Sequence, residues 1–210
     1  MRANQRLVAP DGYEVCLFPL EYMDISQGEG GSFSHAGTLN IDFVGYGPNG
    51  RVYNCPYYAP VSCTCVAGGG ADNWRVFTST NQVHLANGTL SYITWVQMHD
   101  NNPPSVGSSY NQGDLIGHTG TAGNVTGDHV HLNFALGTYA GWQQVTSGQY
   151  QLINSIHMYD ACYVNDTVLI DDFNYPWVEY TGPIPPTPGT YKRKKFPWVL
   201  YANKLRNRRY

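Results

Sequence analysis

The segment from 127 to 137, GDHVHLNFALG, places two histidines one residue apart. Side chains at i and i+2 of a strand point to the same face. His129, His131 and Asn133 therefore share one side, while Val130, Leu132 and Phe134 share the other and read as core. Imidazoles are both metal ligands and proton carriers near neutral pH. A catalytic zinc takes three nitrogen, thiolate or carboxylate ligands and keeps one position for water. A strand histidine can supply one of them. His35 and Asp42, seven residues apart in SHAGTLNIDF, are candidates for the other two. Taken alone, an HxH pair has a high false-positive risk, and a surface histidine with a turn aspartate is the commoner source of such a pair.

Strands are needed to hold these residues. Leu39, Ile41 and Phe43 alternate as a strand entering the core. PNGRVYNCPYYAPVSCTCV reads as a turn followed by short strands bounded by Pro48, Pro56 and Pro60. WRVFTSTNQVHLANGTLSYITWVQMHD reads as a hairpin, with Asn87-Gly88 as a strong turn signal between two β-rich runs. GDLIGHTGTAGNVTGDHVHLNF is a short apolar piece, a Gly/Thr loop and a strand, with the Thr126-Gly127-Asp128 turn placing the histidine pair near a strand entrance. Residues 140–163 are ambiguous, with a short helix expected around 151–158.

Composition agrees with a mainly β protein. The chain of 210 residues has 17 Tyr and 23 Gly, only 13% charged residues, and no long runs at helical spacing. Aromatics suit pleated surfaces and Gly supplies turns. Charge is sharply divided. Residues 192–209 hold eight of the twelve basic residues and no acid, while the first 190 hold Arg2, Arg6, Arg51, Arg75 and all fifteen acids, a net −11. Phosphate neutralisation needs clustered Lys and Arg, so the body is a poor nucleic-acid binder. TGPIPPTPGT reads as an extended linker. The expected organisation is a β domain over 1–180, a Pro-rich linker over 181–190 and a basic, aromatic tail over 191–210. The five cysteines are an odd number and read as buried free thiols rather than a disulfide framework. No apolar run approaches the roughly 18 residues of a membrane span, and the N-terminus shows no signal-peptide core.

Four ordered segments, SHAGTLNIDF, YAPVSCTCV, TWVQMHD and GHTGTAGNVTGDHVHLNF, resemble the lysostaphin/LytM-type zinc endopeptidases that cut peptidoglycan peptides. The likeness spans about residues 30–137. It implies an antiparallel β-sheet with a groove between long loops, few short helices and a zinc ion at the groove floor. It further implies that His35, Asp42 (rather than Asp24) and His131 hold Zn2+, with His99 and His129 as the catalytic histidines beside it. Groove walls are expected from the 100–112 loop, the 118–128 loop and the segment before His35, where aromatics such as Tyr110 are candidates for gripping a sugar–peptide strand. The substrate implied is the peptide of bacterial peptidoglycan. Missing signal, composition and His–Asp spacing suit a phage product, a tail-tip hydrolase or an endolysin, located in the virion tail or at the host wall and in contact with other tail proteins.

The sequence departs from the family pattern in three places. The His35–Asp42 spacing is seven rather than four, as in relatives from phage tails. The Gly/Thr loop is longer, and Asn133 stands where a Glu often follows, which touches support and substrate fit. Alternatives are an inactive LytM-like module that binds wall or activates a partner, and a sugar-phosphotransfer carrier domain, which would not need the His35/Asp42 pair. His84, His118 and His157 read as ordinary strand or loop residues.

Overall fold

The computed structural model describes residues 1–170 and 173–182. The linker beyond Gly182 and the basic 191–210 segment lie outside the described residues. Among the described residues sixteen strands account for most of the regular structure. In chain order they are β1 (Tyr22–Gln27), β2 (Ile41–Gly47), β3 (Gly50–Val52), β4 (Pro56–Tyr58), β5 (Cys63–Gly69), β6 (Trp74–Ser79), β7 (Val83–His84) and β8 (Leu90–Ser91). Then follow β9 (Ile93–Met98), β10 (Ser109–Tyr110), β11 (Leu115–His118), β12 (Val130–Leu136), β13 (Trp142–Thr146), β14 (Gln149–Leu152), β15 (Ser155–Ile156) and β16 (Val168–Leu169). Among the described residues the one helix is α1 (Met158–Ala161). The protein is mainly β, as its composition predicts.

The main sheet runs β10–β5–β6–β9–β12–β2–β1–β16, with β3 added to β2 and β15 to β12. Every pairing in it is antiparallel except β1 with β16. Two-stranded sheets β4–β11, β13–β14 and β7–β8 complete the fold. The predicted hairpin is β6 paired with β9, and β7–β8 turns around Asn87-Gly88 between them.

Period-two alternation gives the sheet two different faces. Phe77, Trp95 and Phe134 are cross-strand neighbours on β6, β9 and β12, and their rings stack at centroid distances of 5.2 and 6.0 Å. All three are essentially fully buried, with Val130, Leu132, Ile41 and Phe43 around them. Truncating any of the three to Ala would cost about 3–5 kcal/mol. The opposite face carries a smaller cluster of Val76, Val96, Ala135 and Leu152, edged by half-buried Trp74, Met98, Tyr139 and Trp142. The five cysteines are free and buried, and the thiols of Cys16 and Cys162 share a hydrogen bond at 3.6 Å between Sγ atoms rather than a disulfide.

Residues 149–158 correct one expectation. No helix spans 151–158. Gln149–Leu152 pairs with β13, Asn154 turns the chain at φ 64, and Ser155–Ile156 pairs with β12. The apolar spacing of Leu152, Ile153 and Ile156 fits either period, and pairing to existing strands decided it. The helical turn starts only at Met158.

Candidate active site

The three central strands converge on one point. Asp42 of β2 is directly opposite His131 of β12, and His131 is directly opposite Met98 of β9. Directly opposed residues share a face, so the Asp42 carboxylate and the His131 imidazole meet on the side away from the Phe77–Trp95–Phe134 stack. His129, two residues before His131, falls on that side as well. His99 follows β9 at φ 80, a conformation uncommon outside glycine. Its N–H donates to the Asp72 carbonyl at 2.8 Å and its own carbonyl accepts from Ala122 N–H at 3.0 Å. Holding such a residue costs on the order of 1–3 kcal/mol, and strain of this kind clusters at functional sites.

His35 arrives from the β1–β2 connection. Its N–H donates to Gly31 O, and its carbonyl accepts from both the N–H and the hydroxyl of Thr38. These bonds close a compact turn between His35 and Asp42, so a seven-residue separation still brings the two side chains together. His35 Nε2 lies 3.3 Å from Asp42 Oδ1 and 3.2 Å from His131 Nδ1, and His131 Nδ1 lies 3.0 Å from Asp42 Oδ1. Three atoms at the corners of a tetrahedral zinc site with bonds of about 2.0–2.1 Å would sit about 3.3–3.4 Å apart. The observed triangle matches that spacing to within about 0.4 Å. His35 directs Nδ1 at the Gly28 carbonyl, which leaves Nε2 as the lone-pair nitrogen facing the triangle.

Electrostatics agree with a cation site. Burial opposes ionisation of Asp42, but hydrogen bonds and charge from His131 and His35 outweigh it and hold the carboxyl well below the usual carboxylate range. Burial pushes His131 down despite its bond to Asp42. His99 is pushed down to about 4, first by burial and then by its histidine neighbours, against the pull of its bond to Ala122 O. A neutral His131 beside an anionic Asp42 is the pair of protonation states that metal binding requires.

His99 and His129 lie beside this triangle with ring centroids 4.5 Å apart. His129 Nδ1 donates to Gly127 O and His99 Nδ1 donates to Ala122 O, both at 2.8 Å. In the neutral form of each ring the lone pair is therefore on Nε2, and His129 Nε2 is 3.9 Å from Asp42 Oδ2. All five residues singled out in the sequence are thus gathered in one cluster. The other histidines are elsewhere: His84 is buried on Asp11, His157 is on Glu29, and His118 is carried by β11 into the β4 sheet.

Several supporting residues escaped sequence reasoning. Asp128 is buried, with Oδ1 accepting from the Thr119 hydroxyl at 2.6 Å and Oδ2 from Asn54 N–H at 3.1 Å. Arg51 donates to its carbonyl. Thr119 also accepts from Cys55 N–H, so the β3–β4 turn, the Gly/Thr loop and the strand of His129 are tied at one node. Gly120 and His129 exchange both backbone hydrogen bonds. Asn133, noted only as a departure, donates to Leu39 O and accepts from Leu152 N–H and the Ser155 hydroxyl. It thereby braces the turn between His35 and Asp42. Thr146 and Val145, at the tip of the β13–β14 hairpin, rest on Ala36 and Gly37, adding a wall that was not foreseen. Tyr110 corrects the opposite way: it packs on the core beside Phe77 rather than over the cluster.

No protein-family model matches the chain. Over 169 residues it is 43% identical to "Morphogenesis protein 1" of Bacillus phage B103, covering 79% of this chain and 44% of that protein. The chain thus spans less than half the length of that relative. Among solved structures, it is similar to a zinc-containing peptidase from Vibrio cholerae, with 16% identity, 62% of this chain and 43% of that chain covered, and a TM-score of 0.40. It is also similar to the catalytic domain of lysostaphin from Staphylococcus simulans, with 19% identity, 60% and 84% covered, and a TM-score of 0.38.

Proposed function

We propose that this chain is a zinc-dependent endopeptidase that hydrolyses peptide bonds in bacterial cell-wall peptidoglycan. The observation that carries the reading is the triangle of His35 Nε2, Asp42 Oδ1 and His131 Nδ1 at 3.0–3.3 Å, with two further imidazoles alongside. In this reading those three atoms hold the ion. Bound there, zinc supplies an acidified water and a Lewis acid for the scissile carbonyl. The chain supplies the proton handling. With Nδ1 committed to Gly127 O, His129 accepts a proton at Nε2, and the Asp42 carboxylate 3.9 Å away stabilises the imidazolium that forms. That proton then passes to the leaving amine. His99, kept neutral by burial and with its Nδ1–H committed to Ala122 O, carries its lone pair on Nε2 and so offers a second proton acceptor beside the triangle.

A phage setting is part of the proposal. The relative from Bacillus phage B103 is named for morphogenesis, which supports association with the virion; opening the wall from the tail, rather than acting as an endolysin, is our further reading. Contacts with other tail proteins are part of the same reading. Among the described residues no helix is long and apolar enough to cross a membrane.

The test combines metal analysis with digestion of purified Gram-positive walls, reading released fragments by mass. The wild type should bind one zinc and release peptide fragments. His131→Ala should lose the metal, and His129→Ala should keep the metal but not the activity. Wild-type and His129→Ala digests that look alike would refute hydrolysis at this site. Absence of stoichiometric zinc in wild-type protein would leave a wall-binding module instead.

A further inference from the structure

The register that joins Asp42 to His131 and Met98 continues one strand further. Arg75 of β6 opposes Gln97 of β9, which sets Trp74 opposite Met98. Asp42, His131, Met98 and Trp74 therefore form one row across β2, β12, β9 and β6, all on the face away from the core stack. Trp74 and Met98 are half-buried and pack with Val76, Val96 and Ala135 on that face. Trp142, from the hairpin that walls the cluster, meets Trp74 edge to face at 5.7 Å. The Trp74 ring lies against Gly69 and Gly70, where any Cβ at Gly70 would come within 2.9 Å of it. Glycine at 70 is thus required by close approach of the indole as well as by its φ of +68. Arg75, the nearest cation in sequence, is turned to the carbonyls of Pro104 and Trp74.

We propose that Trp74, Met98 and Trp142 form a substrate subsite that takes an uncharged group with an apolar face. The inference rests on reading the adjacent cluster as a peptidase centre. Two strand spacings separate Trp74 from His131, about 10 Å, or about three residues of extended peptide. The group bound here thus belongs to the chain being cut, roughly three residues from the scissile bond. An aromatic held rigidly by its neighbours loses little entropy on binding and presents a large contact area.

The test uses the full-length chain, with and without zinc, and soluble wall fragments prepared with a muramidase. Calorimetric titration of the metal-free protein reads binding apart from turnover. Trp74→Ala should raise Kd about tenfold or more, as expected for a central aromatic anchor, while Trp74→Phe stays within about threefold of wild type. With zinc bound, the same loss should appear in KM, with kcat within about twofold and zinc content unchanged. Trp142→Ala, on the other side of the aromatic pair, gives a second reading should Trp74→Ala fail to fold. Unchanged Kd in both alanine variants, a fall in kcat alone, or no binding by the wild type would overturn the subsite. Fragment binding that depends on Trp74 in a zinc-loaded protein that cuts nothing would support the subsite and refute the peptidase.

Discussion

Gly120→Ala should damage the site from the backbone. A Cβ at Gly120 would lie 2.2 Å from the His99 carbonyl oxygen and 3.1 Å from Asn101 N and Asp100 Cα. These are main-chain atoms and cannot swing aside. Relief requires about 1 Å of separation between the 99–101 segment and the Gly/Thr loop. Gly120 is bonded in both directions to His129, so His129 moves with the loop and its ring shifts against His99. Overpacking of this kind costs about 1–3 kcal/mol, which for a chain of this size lowers Tm by roughly 2–12 °C. A 1 Å misplacement of catalytic groups costs about 100-fold in rate. His35 and Asp42 belong to other segments, and His131, two residues after His129, is held between Asp42 of β2 and Met98 of β9, so zinc content should hold. Gly127→Ala is the stability control, because its Cβ would meet nothing within 4 Å and its φ is ordinary; it should be neutral or stabilising by about 0.4–1 kcal/mol. Thermal melts, zinc analysis and wall digestion on both variants decide the matter. A Gly120→Ala protein as stable and as active as wild type would refute the packing of the Gly/Thr loop on His99.

Thr119→Val should lose about 1–3 kcal/mol in urea unfolding, since it strands the buried Asp128 carboxylate and Cys55 N–H; Thr119→Ser should recover most of it. Asn133→Ala should loosen the His35–Asp42 turn and weaken zinc binding roughly 10–100-fold in a competition titration, the usual effect of removing a support behind a metal ligand. Zinc bound to the native state should raise Tm in proportion to the logarithm of its free concentration, and a chelator should reverse the rise; a Tm indifferent to zinc would count against the site. The thiols should be inert in the native protein. Burial, with the Asp128 charge, pushes Cys55 up to about 11, and because the thiolate is the reactive form, labelling of Cys55 at pH 8 should be negligible and should rise only toward pH 11 or on unfolding.

Much of this protein can be read locally. Alternation alone assigns Val130, Leu132 and Phe134 to the core and His129, His131 and Asn133 to the other face, because a strand repeats every two residues whatever it pairs with. The Asn87-Gly88 turn, the absence of disulfides and the mainly β character follow from residue types in the same way. Four residues of the cluster, His35, Asp42, His129 and His131, were recognisable as candidates by type and spacing, and His99 through the family resemblance. Their meeting was not: Asp42 and His131 are 89 residues apart, and only strand register places one opposite the other. Where side chains face partners far along the chain, local pattern was silent or misled. Asp128 looked like a turn residue and proved to be the acceptor of Thr119 and Asn54. Tyr110 looked like a groove aromatic and joined the core. Trp74 carried no signal at all until β6 took its register beside β9. Long-range pairing is chosen by the summed packing of both faces of a sheet, a quantity no short window contains, and that choice is what sets His35, Asp42 and His131 within 3.3 Å of one another.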